Sequence, residues 1–277
     1  MIMGRSKSKL ILLLIASLII VVTTKAQQFK SNTEFGVLGG ASYYLGDLNT
    51  THFYQPLPTA GLIIRQNTDR RLVYKVEIMY LNLKSDERES EDTIAKDRGL
   101  HFRSPVYELS GQLEFNFLPY QPGNSLYTWT PFIFTGVSLF HFNPQAENSN
   151  GDWVNLQELG TEGQGTTTYP DRKKYSLIQF AIPMGGGVKI AISESFNIIL
   201  EYGARKIFTD YLDDVSMTYA GIPSEFDNIT IELSDRSIDG PQSSGIARGD
   251  ETNNDWYSFS GITLSFRIKG NTKGCDY

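Results

Sequence analysis

The chain has 277 residues, a formal net charge of −6 and a hydrophobic fraction of 40%, a length that permits one large all-β domain or two ordinary ones. The acidic balance makes it a poor candidate for nucleic acid, because binding to a phosphate backbone is driven by positive charge. One cysteine, Cys275, leaves no intramolecular disulfide and no cysteine-based zinc site, and so close to the end it reads as an incidental thiol.

At the start, Arg5, Lys7 and Lys9 precede an unbroken apolar run over 10–22, and Thr24-Lys25-Ala26 puts small residues at the two positions a signal peptidase reads. This pattern predicts a Sec signal peptide over 1–26, with the mature protein starting at Gln27. The run is shorter than the roughly 18 residues a spanning helix needs, and Gln27 stands where a lipoprotein would have cysteine. Cleavage leaves 21 basic against 31 acidic residues, a charge of −10. Beyond it no segment is long and apolar enough for a spanning helix.

The next 240 or so residues alternate with period two, the signature of strands with one apolar and one polar face. Strand one covers 34–45, with Phe35, Val37, Ala41, Tyr43 and Leu45 on one parity. After a loop bearing Pro56 and Pro58, strand two covers 59–65, a tight turn follows at 67–70, and strand three covers 72–84. There Leu72, Tyr74, Val76, Ile78 and Tyr80 oppose Lys75, Glu77 and Met79. A charged loop leads to strand four, 106–117, whose Tyr107, Leu109, Leu113, Phe115 and Phe117 oppose Glu108, Ser110, Gln112, Glu114 and Asn116. Pro119 closes it.

A connection over 120–130 leads to strand five, 131–142, which is aromatic on one parity (Phe132, Phe134, Phe140, Phe142) and branched on the other (Ile133, Val137, Leu139), leaving its facing open. The loop over 143–174 has no period. Strand six covers 177–192, Ser193-Glu194-Ser195 turns the chain, strand seven covers 196–208, a connection spans 209–255, and the last strand covers 256–268. Connections one, three, five and seven are long, two and six are tight, and the fourth is intermediate. A soluble sandwich has no reason to sort its loops this way. The expected fold is an all-β, antiparallel transmembrane β-barrel of about eight strands over 27–277, with short periplasmic turns and long extracellular loops. Aromatic residues near strand ends (Tyr43, Tyr44, Tyr80, Tyr107, Phe117, Tyr120, Phe142, Tyr175, Phe208, Trp256, Tyr257) fall where interfacial girdles belong.

The inner parity collects Lys75, Glu77, Glu108, Glu114, Lys189, Glu201, Arg205 and Arg267, four acids and four bases. An eight-stranded barrel is just wide enough for side chains to fill, and buried charges persist when paired, so the expectation is an ion-paired plug rather than a pore. His52, His101 and His141 sit in or beside outer loops with no spacing that specifies a catalytic triad, and are expected in water. Asp210, Asp213 and Asp214 lack a calcium-loop pattern and are expected on a solvated acidic face. Neither a metal nor a cofactor is implied. Tyr120, Tyr127 and Trp129 offer apolar anchors for a periplasmic partner, or belong to the lower aromatic girdle.

Six stretches carry a resemblance: EFGVLGGASYYLGDLN (34–49), YELSGQLEFNFLPY (107–120), FNPQA (142–146), LGTEGQG (159–165), RKIFTDYLDDVS (205–216) and DWYSFSGITL (255–264). In this order they resemble the PorG-type outer-membrane barrel family across nearly the whole mature chain. The resemblance implies a component of the type IX protein secretion apparatus, which serves gliding motility in some bacteria, associated with a periplasmic ring of PorK-type lipoprotein and PorN-type protein. The last strand resembles the signal read by the barrel-assembly machinery at Gly261, Leu264 and Phe266, but continues past Ile268 to Tyr277. The expected function is therefore a non-enzymatic outer-membrane barrel, held by outer-membrane lipids, that anchors or positions the periplasmic ring. A lipid-modifying barrel enzyme and a small-solute channel are the alternatives.

Overall fold

A computed structural model describes residues 31–268; the signal peptide, Cys275 and the tail over 269–277 lie outside them. Eight long strands form the wall: β1 (Asn32–Leu45), β2 (Leu57–Asn67), β3 (Leu72–Asp86), β4 (His101–Asn116), β5 (Trp129–Phe142), β8 (Ile178–Ala191), β9 (Phe196–Ile207) and β10 (Trp256–Ile268). A small hairpin, β6 (Gln145–Glu147) and β7 (Trp153–Asn155), hangs from the start of β4 through Arg103↔Gln145. Neighbours pair antiparallel in the order β3-β2-β1-β10-β9-β8-β5-β4, and β3–β4 pairing from Leu72↔Phe115 to Asp86↔His101 closes the ring. Closure leaves the wall without an unpaired edge.

Alternation decides which way each side chain points. Val76, Ile78, Leu109, Val137 and Phe180 stand outward, Val137 68% and Phe180 67% exposed, while Lys75, Glu77, Glu108 and Glu114 are buried within. The facing of β5, open in the sequence, resolves with its branched parity outward and Phe132, Phe134, Phe140 and Phe142 in the lumen. Among the described residues no helix is long and apolar enough to cross a membrane; the apolar surface is the barrel's own outer wall.

The two ends differ. At the lower end, residues 68–71 turn tightly because the Asp69 carboxylate accepts the backbone N–H of Arg71 (2.6 Å) and Leu72 (2.9 Å), an Asx turn. Residues 192–195 turn similarly, with the Ser193 hydroxyl accepting from the N–H of Ser195 and Phe196. The upper end carries the connections over 46–56, 87–100, 143–177 and 208–255. β3 runs on from Tyr80 to Asp86 and β4 begins six residues before Tyr107, so the wall continues above the level of these tyrosines.

Candidate functional site

The lower lumen holds one continuous network of ion pairs. Glu114 on β4 meets Arg65 Nε at 3.0 Å, Lys189 Nζ at 2.5 Å and Lys75 Nζ at 3.6 Å. Glu201 on β9 meets Lys75 at 2.6 Å and Arg65 at 3.0 Å. Glu77 links Lys75 (3.0 Å) to Arg205 (3.1 Å), Arg205 continues to Glu108 (3.1 Å), and the Tyr257 hydroxyl donates to Glu108 at 2.5 Å. All these side chains are buried. Below them Glu34 accepts from Asn67 Nδ2 (2.9 Å) and the Ser265 hydroxyl (2.8 Å). Each charge therefore has opposite charge or a donor within reach, the condition under which buried ions are tolerated.

Aromatic rings complete the packing. Lys75 Nζ sits 4.5 Å from the Phe134 ring centroid, Lys189 4.6 Å from Phe132, and the Arg205 guanidinium 4.4 Å from Phe259, cation–π contacts that strengthen away from water. Phe134 fits only because β8 and β9 carry glycine beside it: a Cβ on Gly185 would stand 2.6 Å from Phe134 Cζ, and one on Gly203 2.8 Å. Higher up the lumen is apolar, with Leu81, Leu83, Phe102, Phe140, Phe142 and Ile207 in one buried cluster that continues into Leu212, Val215 and Leu233 of the last outer connection.

The outer connections lock together over this cluster. Arg248 donates to Glu162 Oε1 (3.2 Å), to the Asp214 carbonyl (2.5 Å) and to the Ser234 carbonyl (3.1 Å). Glu162 also accepts the backbone N–H of Ser216 (3.0 Å) and the Tyr211 hydroxyl (3.1 Å), so 143–177 is bound to 208–255. Arg98 reaches Glu87, the Arg248 carbonyl (2.6 Å) and the Asp47 carbonyl (3.0 Å), adding 46–56 and 87–100. The result is a cap with its own polar lacing and apolar core.

The cap corrects the expectation of a solvated acidic face. Asp210, Asp213 and Asp214 are all buried: Asp213 accepts from the Tyr44 hydroxyl (2.5 Å) and the Val215 N–H (2.9 Å), and Asp214 from the hydroxyls of Thr161 and Tyr175 (2.5 and 2.6 Å). Tyr44 also donates toward Asp255 at 2.8 Å. Burial pushes Asp213 and Asp255 well above the ordinary carboxylate range, raises Asp214 to about 6 against the pull of Arg248, and raises Asp210 to about 8. Local sequence carried no sign of burial here, since it depends on contacts with connections that are distant in the chain.

Other expectations also change. Arg267 does not join the lumen network; at the lower end of β10 it pairs with Glu194 of the 192–195 turn at 3.6 Å. Arg65, at the end of the expected second strand, is the missed member, hidden because Leu62-Ile63-Ile64 is an unbroken apolar run that gives no parity. Tyr44, Tyr120, Phe142 and Tyr257 are buried rather than part of a girdle, whereas Tyr80, Tyr107, Phe117 and Phe208 are exposed. Tyr120 cannot act as a surface anchor; Trp129, the first residue of β5, and Leu126 are exposed at the same end, and Tyr127 is half-buried under Arg70 at 4.8 Å.

The histidines separate. His52 Nδ1 meets the Tyr43 hydroxyl at 3.0 Å, His101 is buried and its Nε2 accepts from the Glu147 N–H, and His141 faces outward beside Tyr107. Among the described residues no histidine is hydrogen-bonded to a serine or a carboxylate, and no three His, Cys, Asp or Glu groups are placed to hold a metal ion.

A family model described as a domain of unknown function, DUF6089, matches residues 9–276. No curated protein matches the chain. Solved structures similar to it include Ail, the attachment invasion locus protein of Yersinia pestis, in complex with the heparin analogue sucrose octasulfate (8% identity, 87% of this chain and 100% of that one, TM-score 0.43). Neisserial surface protein A is similar at 7% identity, 87% and 100% coverage and a TM-score of 0.44. OprG from Pseudomonas aeruginosa is similar at 10% identity, 87% and 99% coverage and a TM-score of 0.37.

Proposed function

The chain belongs to the DUF6089 family, and from that premise we propose that it is a non-enzymatic outer-membrane barrel that anchors the periplasmic ring of a type IX protein secretion apparatus. The observation that carries the barrel half of this reading is the pairing of an outward apolar belt with a lumen tied across by buried ion pairs. Such an object is held by lipid on its outside and has no open interior to work with, so its function falls to its ends. The secretion half rests on the family-level resemblance of the six motif stretches to PorG-type barrels.

Leu126 and Trp129 stand exposed at the short-turn end, where Arg70 lies 4.8 Å over the Tyr127 ring and Arg71 is also exposed. Exposed aromatic and arginine side chains together are the composition of interface hot spots. This end is the docking surface in our reading, and PorK-type lipoprotein and PorN-type protein are its partners.

The test is a detergent pull-down of the tagged protein from its native membrane after gentle crosslinking, with mass spectrometry of the co-purified chains. Recovery of ring lipoprotein and its partner, reduced by Tyr127→Ser with Trp129→Ser, supports the anchor and locates the contact. Recovery of the barrel alone, under conditions that preserve the ring, removes the secretion role.

A further inference from the structure

We propose that the outer wall of β3, β4 and β5 binds a phosphate-bearing lipid of the outer leaflet. The inference rests on the membrane placement above and goes beyond it by naming the lipid chemistry and its place on the wall. Lys84 and Arg103 are direct cross-strand partners on the outward face of β3 and β4. Like charges placed directly opposite each other are destabilising unless something lies between them to neutralise them. Among the described residues Lys84 has only the exposed Glu89, at 3.4 Å. Arg103 lies 3.7 Å over the Trp153 ring and donates to Gln145 at 3.2 Å, with no carboxylate partner among the described residues.

These cations go against the acidic balance of the chain. Lys206, lower on the outer wall, is also a cation and stands 5.8 Å from the Trp256 ring centroid, while Asp86 is already chelated by Arg88. Beneath Lys84 and Arg103, four residues down each strand, lies the pair Tyr80↔Tyr107, about 13 Å away along the wall. The Tyr80 and Tyr107 rings are 5.1 Å apart and His141 continues the row at 6.4 Å. Tyr80, Tyr107 and His141 border an apolar cleft of about 350 Å³ floored by Leu109, Leu139 and Ile178.

An apolar cleft below, an aromatic row at the interface and a cross-strand cation pair above with a single exposed carboxylate between two charges match, in order, the acyl chain, the interfacial region and the phosphate of such a lipid. An acyl chain in the cleft brings its own headgroup to the height of Lys84 and Arg103.

The experiment uses the full barrel in nanodiscs of phosphatidylcholine, alone or with diphosphoryl lipid A, and native mass spectrometry to count retained lipid. Inorganic phosphate in plain phosphatidylcholine discs is the third arm. The expected result is preferential retention of lipid A, lowered about tenfold by Lys84→Gln with Arg103→Gln, with the heat-compact gel mobility of the double variant unchanged. Equal retention by the double variant, or no preference over phosphatidylcholine, overturns the proposal. So does binding reproduced by inorganic phosphate alone. Failure of the wild-type barrel to enter any disc would instead overturn the membrane placement itself, and the lipid site with it. If the double variant loses its compact mobility, Arg103→Lys, which keeps the charge, is compared with Arg103→Gln; equal retention by the two overturns the proposal.

Discussion

Lys75 Nζ lies 2.6 Å from Glu201 Oε1, and the two come from β3 and β9, four strands apart whichever way the ring is followed. An ion pair that spans the lumen joins opposite walls directly, so its loss acts on the whole barrel. Among the described residues Glu201→Gln leaves Lys75 with Glu77 and Glu114 and Arg65 with Glu114 alone, so the cost is that of charge-assisted hydrogen bonds lost, about 1.5–3 kcal/mol, below that of a buried charge stripped of every partner. We expect that order of loss in urea or heat unfolding, followed by the shift from compact to extended gel mobility. Replacing both Lys75 and Glu201 by methionine is expected to cost less than the sum of the single changes. Additive losses would show that the pair is not coupled.

The same interior predicts an electrical result. Arg205, Glu108, Glu77, Lys75, Glu201, Glu114, Arg65 and Lys189 interlock across the lower lumen, and an apolar cluster lies over them. Ions have no hydrated path through such packing. In planar bilayers the protein is expected to insert without steady conductance, and single-channel steps at ordinary salt would refute the filled-lumen description.

Much of this was legible in the chain because strand alternation is local: Lys75, Glu77, Glu108, Glu114, Lys189, Glu201 and Arg205 could be placed in the lumen by parity alone. Arg65 could not, since Leu62-Ile63-Ile64 is apolar on both faces and Ile63, one step higher on β2, also points inward. Phe132 and Phe134 could have faced either way on a strand apolar on both parities, and in the lumen they serve as platforms for lysines on β3 and β8. That role depends on glycines at 185 and 203, far along the chain. The cap was least legible, because Glu162, Arg248 and Asp214 find each other through long-range contacts that leave no period in the sequence. Trp129 is exposed and Tyr120 buried, a difference that the aromatic composition of 120–129 did not carry.

The outer wall supplies a prediction that separates a lipid-facing surface from a water-facing one. Val137 stands outward in the middle of β5, and Ile94 stands exposed on a short helix, Thr93–Arg98, of an outer connection. In a membrane, Val137→Arg places a charge near the bilayer midplane and costs about 2–4 kcal/mol, whereas Ile94→Arg remains in water and costs little. Folding both variants into lipid vesicles and comparing their urea midpoints measures the difference. Equal midpoints would mean the β5 wall does not face hydrocarbon.

The cap supplies a pH dependence whose sign follows from Asp210. Burial raises this carboxyl to about 8; the Ser216 hydroxyl opposes the rise, and Asp47, Glu162 and Asp250 add to it. In the unfolded chain an aspartate titrates near pH 3.9. The folded cap therefore binds the proton more tightly, and the stability linked to it is complete below about pH 4 and lost progressively as pH rises through about 8. Asp213, Asp214 and Asp255 are raised in the same direction and reinforce the trend. Cleavage of the 208–255 connection by a protease active across the range, corrected for its own pH profile, should accelerate from pH 5.5 to pH 9. Asp210→Asn, which cannot ionise, should flatten part of that rise and slow cleavage at pH 9. An unchanged profile in the variant, or faster cleavage at the acidic end in the parent, would rule out Asp210 as a source of the dependence.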